Sequence, residues 1–366
     1  MNRVFLYGYY GCGNVGDDLL LAVLLEKLLK SASNVRVKCL LAPDSSRDPH
    51  VTFLELEKIL ADQSRRAPVR LGLFLIQIWK ALCGVQVLIF GGGTLFHAKD
   101  GSPTNLLILA FVAVLARLRG AKVAAIGVGV GKIRGGLPVL LFSGISRLSC
   151  DFAVRDKSSL ENCAGCGESS RVRLAADLVF LYPLPSCKKR DRPRPILGLA
   201  LAASAIGKGE EARALAPLGG VMDAIRERGW DVQGLSFQEL EFSGFHLSDS
   251  ELLNSIRDVP IRRLGAAAVD ISEQIGGLDV VVGMRFHALV LAARLGIPFV
   301  GIGRDPKLAD LCQRYGFPFF ELEDLESGKL LAAVENVLGC TPDCRVTDEL
   351  ICEAEKNFDQ IDRLML

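Results

Sequence analysis

Short apolar runs with almost no polar residue take turns along this chain with longer stretches whose apolar positions fall three and four apart. Strand-like runs separated by helical periods mark parallel βαβ units. In the first half, residues 4–7, 35–41, 85–90, 122–128 and 152–154 read as strands. Helical spacing covers 17–29, with Asp17 or Asp18 near the N-cap, then 54–61, 69–82, 105–118 and 137–148. The alternation resumes with a strand at 196–201 and a helix at 211–228, which Pro217 and Gly219-Gly220 are expected to interrupt. It continues as strand 232–237, helices 249–257 and 270–275, strand 280–282, helix 287–295 and strand 299–302. Two more helices follow, one from Pro306 to 315 and one over 325–338. From 347 onward Leu350, Ile351, Ala354, Phe358, Ile361 and Leu364 again keep helical spacing.

The pattern breaks between 183 and 195, where four prolines and five basic residues can continue neither a helix nor a central strand. This predicts a first domain over 1–186, a second over 194–345 and a closing helix over 346–366. The expected fold class is α/β, with two Rossmann-like doubly wound domains facing across a cleft, the GT-B arrangement.

Half of the residues are apolar, which is ample for two cores. The 43 basic and 42 acidic residues leave a net charge of +1, with no electrostatic footprint for nucleic acid. Met1-Asn2-Arg3 runs straight into a strand-like segment, so no signal peptide is expected. The longest apolar run, 106–116, falls short of the roughly 18 residues of a spanning helix. A cytoplasmic protein follows, at most peripheral to the inner face of the membrane. The segment from Arg65, Arg66 and Arg70 through Ile76 and Trp79 reads first as an amphipathic core helix and second as a basic membrane-facing surface. Eleven irregularly spaced cysteines are expected to be reduced thiols, and Cys163 and Cys166 lack the second pair a zinc site needs. No metal is expected.

Candidate chemistry concentrates where strands end. Gly11-Cys12-Gly13-Asn14-Val15-Gly16 follows the first strand and fits GxGxxG, but Asp17 and Asp18 open the helix where a pyrophosphate would rest. Dinucleotide binding is therefore disfavoured. Two further glycine loops, Gly91-Gly92-Gly93 and Gly127-Val128-Gly129, predict an open floor wide enough for a sugar. In the second half, Gly283 ends the run Val280-Val281-Val282, and a helical pattern begins at His287. Arg285 and His287 thus sit in a strand-to-helix turn, at a helix N-terminus that favours anions. A guanidinium and an imidazole two residues apart suit holding an anion while a proton moves.

Taken together, Gly8-Tyr9-Tyr10-Gly11 with Asn14 and Gly16-Asp17, then Gly91-Gly92-Gly93, Arg155-Asp156, Gly283-Met284-Arg285-Phe286-His287-Ala288-Leu289 and Asp305-Pro306-Lys307 resemble the polysaccharide pyruvyl transferases. They most resemble the bacterial branch that modifies the sugar of a secondary cell-wall polymer, which anchors S-layer proteins. Asp18 departs from the pattern, which has Glu after Gly-Asp.

The resemblance implies phosphoenolpyruvate as donor and co-substrate, no cofactor, and two hydroxyls of one sugar as acceptor, closing a pyruvate ketal with release of phosphate. Arg155 and Arg285 are then expected to hold the donor's carboxylate and phosphate, with Phe286 beside them and Lys307 on the departing phosphate. His287 becomes the general acid for C3 or the base for a sugar hydroxyl. Asn14, Asp17, Gly92, Gly93, His97 and Gln238 are expected on the acceptor side; His246 lies in the same loop region as Gln238, and His50 reads as solvated. The acceptor is expected to be a cell-wall or exopolysaccharide precursor, containing N-acetylmannosamine and lipid-linked, which would suit a peripheral membrane contact. With the break near 190, Arg155 falls in the first domain and Arg285 in the second, which predicts a shared site. Two other readings stay open: a GT-B glycosyltransferase using a nucleotide sugar, and an inactive carbohydrate-binding protein.

Overall fold

The computed structural model describes residues 2–42, 48–62, 64–98, 101–185, 192–239, 247–265, 267–361 and 364. The centre of the expected linker, 186–191, and His246 lie outside the described residues. The chain divides into two compact units, each α/β with a parallel sheet. The first comprises Met1–Cys12, Asp17–Leu181 and Leu350–Leu366; the second comprises Gly13–Gly16 and Tyr182–Glu349.

In the first unit the strands are β1 (Arg3–Tyr10), β2 (Asn34–Cys39), β3 (Val51–Leu54), β4 (Val87–Gly91), β5 (Thr94–Phe96), β6 (Lys122–Val130), β7 (Asp151–Val154) and β8 (Arg173–Leu174). They run in the order β3-β2-β1-β4-β6-β7-β8, with β5 beside β6, and every pair is parallel. The helices are α1 (Val15–Leu28), α2 (Glu57–Ala61), α3 (Ala67–Ala81), α4 (Thr104–Leu118), α5 (Gly136–Leu148) and α6 (Lys157–Gly165). One face of the sheet, with Phe5, Tyr7, Leu88, Phe90, Val123 and Ala125, shares a core with α3, α4, α5 and α6. Because helices cover both faces, β4 is buried at all five residues, as its unbroken apolar run demands.

The second unit repeats the plan with β9 (Ile196–Ala200), β10 (Asp231–Ser236), β11 (Ile261–Arg263), β12 (Val280–Gly283), β13 (Phe299–Gly303) and β14 (Phe319–Glu321). Their order, β11-β10-β9-β12-β13-β14, is that of the doubly wound nucleotide-binding sheets. Its helices are α7 (Glu211–Glu227), α8 (Asp249–Asn254), α9 (Ala268–Ile275), α10 (Phe286–Arg294), α11 (Pro306–Tyr315) and α12 (Ser327–Val337). A last helix, α13 (Cys344–Glu355), gives way to a 3-10 turn at Lys356–Phe358. In both units the chain reverses its direction of winding beside the first strand, between β1 and β4 and between β9 and β12. Such switch points, at the carboxyl ends of strands, leave a crevice for a ligand.

Several expectations need correction. Helix α7 is continuous: Pro217 lies in its second turn, and the Pro217 carbonyl accepts the Ser327 hydroxyl at 2.9 Å. A Cβ on Gly220 would approach Ser327 Oγ to 3.1 Å, so the glycine serves close packing of α12 rather than a break. Residues 51–54 form an edge strand where helix was expected from 54, and they pair with Val35–Lys38. Helix α6 was not foreseen at all; the Asp156 carboxylate caps it by accepting the Ser159 N–H at 2.7 Å. The last helix begins earlier than 347 and loses its α-helical form at Lys356.

Candidate functional site

All four residues of β12 are buried, and the Met284 N–H donates to the Ala200 carbonyl at 2.8 Å, prolonging the pairing with β9. Arg285 therefore leaves the sheet at the switch point with extended backbone (φ −88°, ψ 117°), at the N-cap position of α10. Its guanidinium does not hang free. Nε donates to Asp249 Oδ2 at 2.8 Å, Nη2 donates to Gln238 Oε1 at 3.1 Å, and Nη2 also donates to Asp249 Oδ1. Asp249 has no exposed surface, and its carboxylate also accepts the N–H groups of Ala203 (3.2 Å) and Phe237 (3.3 Å). This two-pronged pair ties the ends of β9, β10 and β12 together. Among the described residues Nη1 is the one guanidinium nitrogen not engaged by these bonds. Arg285 is thus a half-buried strut between the strand ends, with Nη1 left outside these bonds.

The glycine loop from the chain's start meets this turn. Asn14 forms an antiparallel bridge with Gln238, the Val15 N–H donates to the Phe237 carbonyl at 2.9 Å, and the Glu239 N–H donates to the Gly13 carbonyl at 3.3 Å. Asn14 Oδ1 accepts the Gly16 N–H at 3.0 Å, which fixes the turn. Gly16 lies directly on the imidazole of His287: a Cβ there would fall 1.8 Å from Nδ1. The ring of Phe286 meets that imidazole edge-on, with centroids 5.5 Å apart at 70°. The Lys307 ammonium stands 5.5 Å from the Phe286 ring centroid and 2.8 Å from Asp305 Oδ2. Asn14, Gln238, Arg285, Phe286, His287 and Lys307 therefore form one connected cluster within the second unit.

The remaining candidates lie in the first unit. Gly92 and Gly93 both take positive φ (63° and 67°), a conformation that favours glycine, and a Cβ on Gly93 would stand 2.9 Å from Asp17 Oδ1. Asp18 accepts the Gly11 N–H at 3.0 Å; burial above all, with the neighbouring Asp17 charge adding, raises its carboxyl to about 6 against that bond. Cys12, in the same loop, is pushed up to about 12 by burial, which removes it as a nucleophile at neutral pH. His97 is half-buried against Gly131, whose Cβ would stand 3.1 Å from the His97 Cβ. His50 is exposed, as expected.

Arg155, expected to grip the donor, is engaged inside the unit. Nη1 donates to Asp177 Oδ2 at 2.9 Å, Nη2 donates to Thr94 Oγ1 at 2.9 Å, and Nε lies 3.5 Å from Asp156 Oδ2. Its side chain is 3% exposed. These bonds hold the guanidinium inside the unit and tie Thr94 to the ends of the neighbouring strands.

Asp249 and Asp177 escaped the sequence reading. Asp249 follows Ser248, whose capping box with Glu251 makes it look like an ordinary first-turn acid. Asp177 carried a usable signal: it is a lone acid in the apolar run Ala175-Ala176-Asp177-Leu178-Val179-Phe180. Among the described residues no group of His, Cys, Asp or Glu is placed to hold a metal ion, and no helix is long and apolar enough to cross a membrane.

The fold and the two switch-point loops define the class. The chain superposes on a putative UDP-N-acetylglucosamine 2-epimerase from Listeria monocytogenes with TM-score 0.61, at 10% identity over 99% of this chain and 95% of the other. The UDP-GlcNAc 2-epimerase of Methanocaldococcus jannaschii gives 0.60 at 14% identity, over 92% of each chain. The glycosyltransferase SnogD from Streptomyces nogalater gives 0.53 at 15% identity, over 99% of each. Identities this low establish a GT-B-like α/β fold and say nothing of substrate, so they do not favour the nucleotide-sugar reading. No curated protein matches the chain significantly. The sequence profile of the polysaccharide pyruvyl transferases matches residues 14–306, from the glycine loop through the turn at Arg285 to Pro306, and the chain belongs to that family of transferases.

Proposed function

We propose that the protein transfers the pyruvyl group of phosphoenolpyruvate to two hydroxyls of one sugar in a cell-wall or exopolysaccharide precursor, closing a ketal and releasing phosphate. The observation that carries this reading is the meeting of Gly16 with His287. Two motifs some 270 residues apart converge on one imidazole, beside a lysine and an arginine. A proton added to the donor's C3 makes C2 electrophilic, and the first hydroxyl adds there. Phosphate leaves from C2, and the second hydroxyl closes the ring. His287 exchanges the proton, because an imidazole can serve as general acid or as general base. Lys307 neutralises charge on the leaving phosphate, and Arg285 offers Nη1 to the donor's carboxylate while Asp249 fixes its plane. Asn14 and Gln238 present polar groups beside them for the acceptor's hydroxyls. The chemistry asks for no cofactor or metal.

Replacing His287 by Gln keeps a polar side chain of similar reach and removes the titrating group. Phosphate release from phosphoenolpyruvate in the presence of acceptor should fall about 100-fold or more, with the melting temperature preserved. Parental release from a folded His287→Gln protein would refute the assignment.

A further inference from the structure

We propose that the outer face of α3, α4 and α5 docks the first unit on an anionic lipid surface. These neighbouring helices bury one side against the sheet, through Phe74, Ile78, Leu106, Leu109, Phe142 and Ile145. Their other side is apolar as well. Of the twelve exposed large hydrophobic side chains among the described residues, nine lie on these three helices, among them Ile76, Trp79, Phe111, Leu118, Leu137 and Leu140. Leu118 is 71% exposed and Leu140 67%. A monomeric soluble protein seldom gathers so much apolar surface without a partner for it.

Charge identifies the partner. None of the three helices contains an Asp or Glu. From 64 to 150 the sequence has eleven Lys and Arg against one acid, Asp100, in a chain whose total is +1. The excess cations therefore gather on the segment that carries the apolar face. Arg66, Lys80, Arg117 and Arg134, at the helix ends, are exposed. Two copies joined through this face would bring like charges together, whereas acidic headgroups would complete it. Trp79 is 39% exposed, with the Arg119 guanidinium 3.7 Å from its ring centroid, an amphipathic pairing suited to the headgroup level. At 15 and 13 residues the helices are far too short to span a bilayer, so they would lie along it.

The test is independent of the reaction proposed above. The full chain is floated with vesicles of phosphatidylcholine alone and of phosphatidylcholine with a quarter phosphatidylglycerol, at low and high salt. Expected is binding to the anionic vesicles only, weakened by salt. Arg66→Gln and Arg134→Gln should each lower partitioning about fivefold, and Leu118→Ser with Leu140→Ser should lower it about tenfold for each side chain. All four positions are exposed, so melting temperatures should match the parent. Failure to float with anionic vesicles overturns the proposal, as does equal binding to both vesicle types. It is likewise overturned if sedimentation shows a dimer that Leu118→Ser and Leu140→Ser dissolve.

Discussion

The closest approach in the candidate site, Gly16 against His287, makes a prediction whose sign is informative. Gly16 is the second residue of α1, and alanine ordinarily outranks glycine in a helix by up to about 1 kcal/mol. Here the added Cβ would lie 1.8 Å from Nδ1, 2.6 Å from Cε1 and 2.7 Å from Cγ of the imidazole. A relaxed contact needs about 3.5 Å, so ring and loop must part by roughly 1.7 Å. The loop is held by the Asn14–Gln238 bridge and the Val15–Phe237 hydrogen bond, so the ring gives way. Overpacking of this kind costs about 1–3 kcal/mol. Gly16→Ala should therefore destabilise the parent but stabilise, or leave unchanged, the His287→Ala protein. Thermal melts of the two single variants, the double variant and the parent measure that coupling. Displacing a catalytic group by about 1 Å costs on the order of 100-fold in rate, so phosphate release by Gly16→Ala should fall by that much. An equal effect of Gly16→Ala with and without the imidazole, or parental turnover, would show that the loop does not rest on His287.

Two further predictions concern carboxylates. Asp249→Ala leaves the half-buried Arg285 guanidinium without its counter-charge and strips an acceptor from the Ala203 and Phe237 N–H groups; it should cost about 3 kcal/mol in denaturant unfolding, while Asp249→Ala with Arg285→Met should recover part of the loss. Asp18 is raised from 3.8 to about 6, chiefly by burial; the folded state thus prefers the proton, and stability from this group is present below pH 4 and lost as pH rises toward 6. Asp18→Asn, which keeps an acceptor for the Gly11 N–H, should show a melting-temperature advantage over the parent that grows between pH 4 and pH 6 and is flat above. An advantage that shrinks over that window would contradict the burial argument.

The parts of the fold legible in the sequence are those whose physics is local. Strands β4 and β12 are covered on both faces and read as unbroken apolar runs, and α10 announces itself by the glycine that stops β12 and the apolar period after it. What stayed hidden depends on contacts distant in sequence. The edge strand β3 alternates only weakly, and β8 has two residues; both exist because a neighbour supplies hydrogen bonds. Helix α7 survives Pro217 because α12 packs against it. The same holds for the site. Arg285 and His287 were visible as chemistry, but nothing near residue 285 reveals that Asp249 locks the guanidinium or that Gly16 rests on the imidazole. The motif at Arg155 suggests an anion binder, but nothing near residue 155 reveals that Asp177 pairs with its guanidinium inside the unit.

The central claim is tested most directly by product mass. The protein is incubated with phosphoenolpyruvate and with N-acetylmannosamine-containing acceptors, free and lipid-linked. The account predicts an acceptor heavier by one pyruvate less one water, formed in step with one phosphate released, and absent with His287→Gln. Transfer of a sugar from a nucleotide donor onto the same acceptors, with phosphoenolpyruvate untouched, would contradict it.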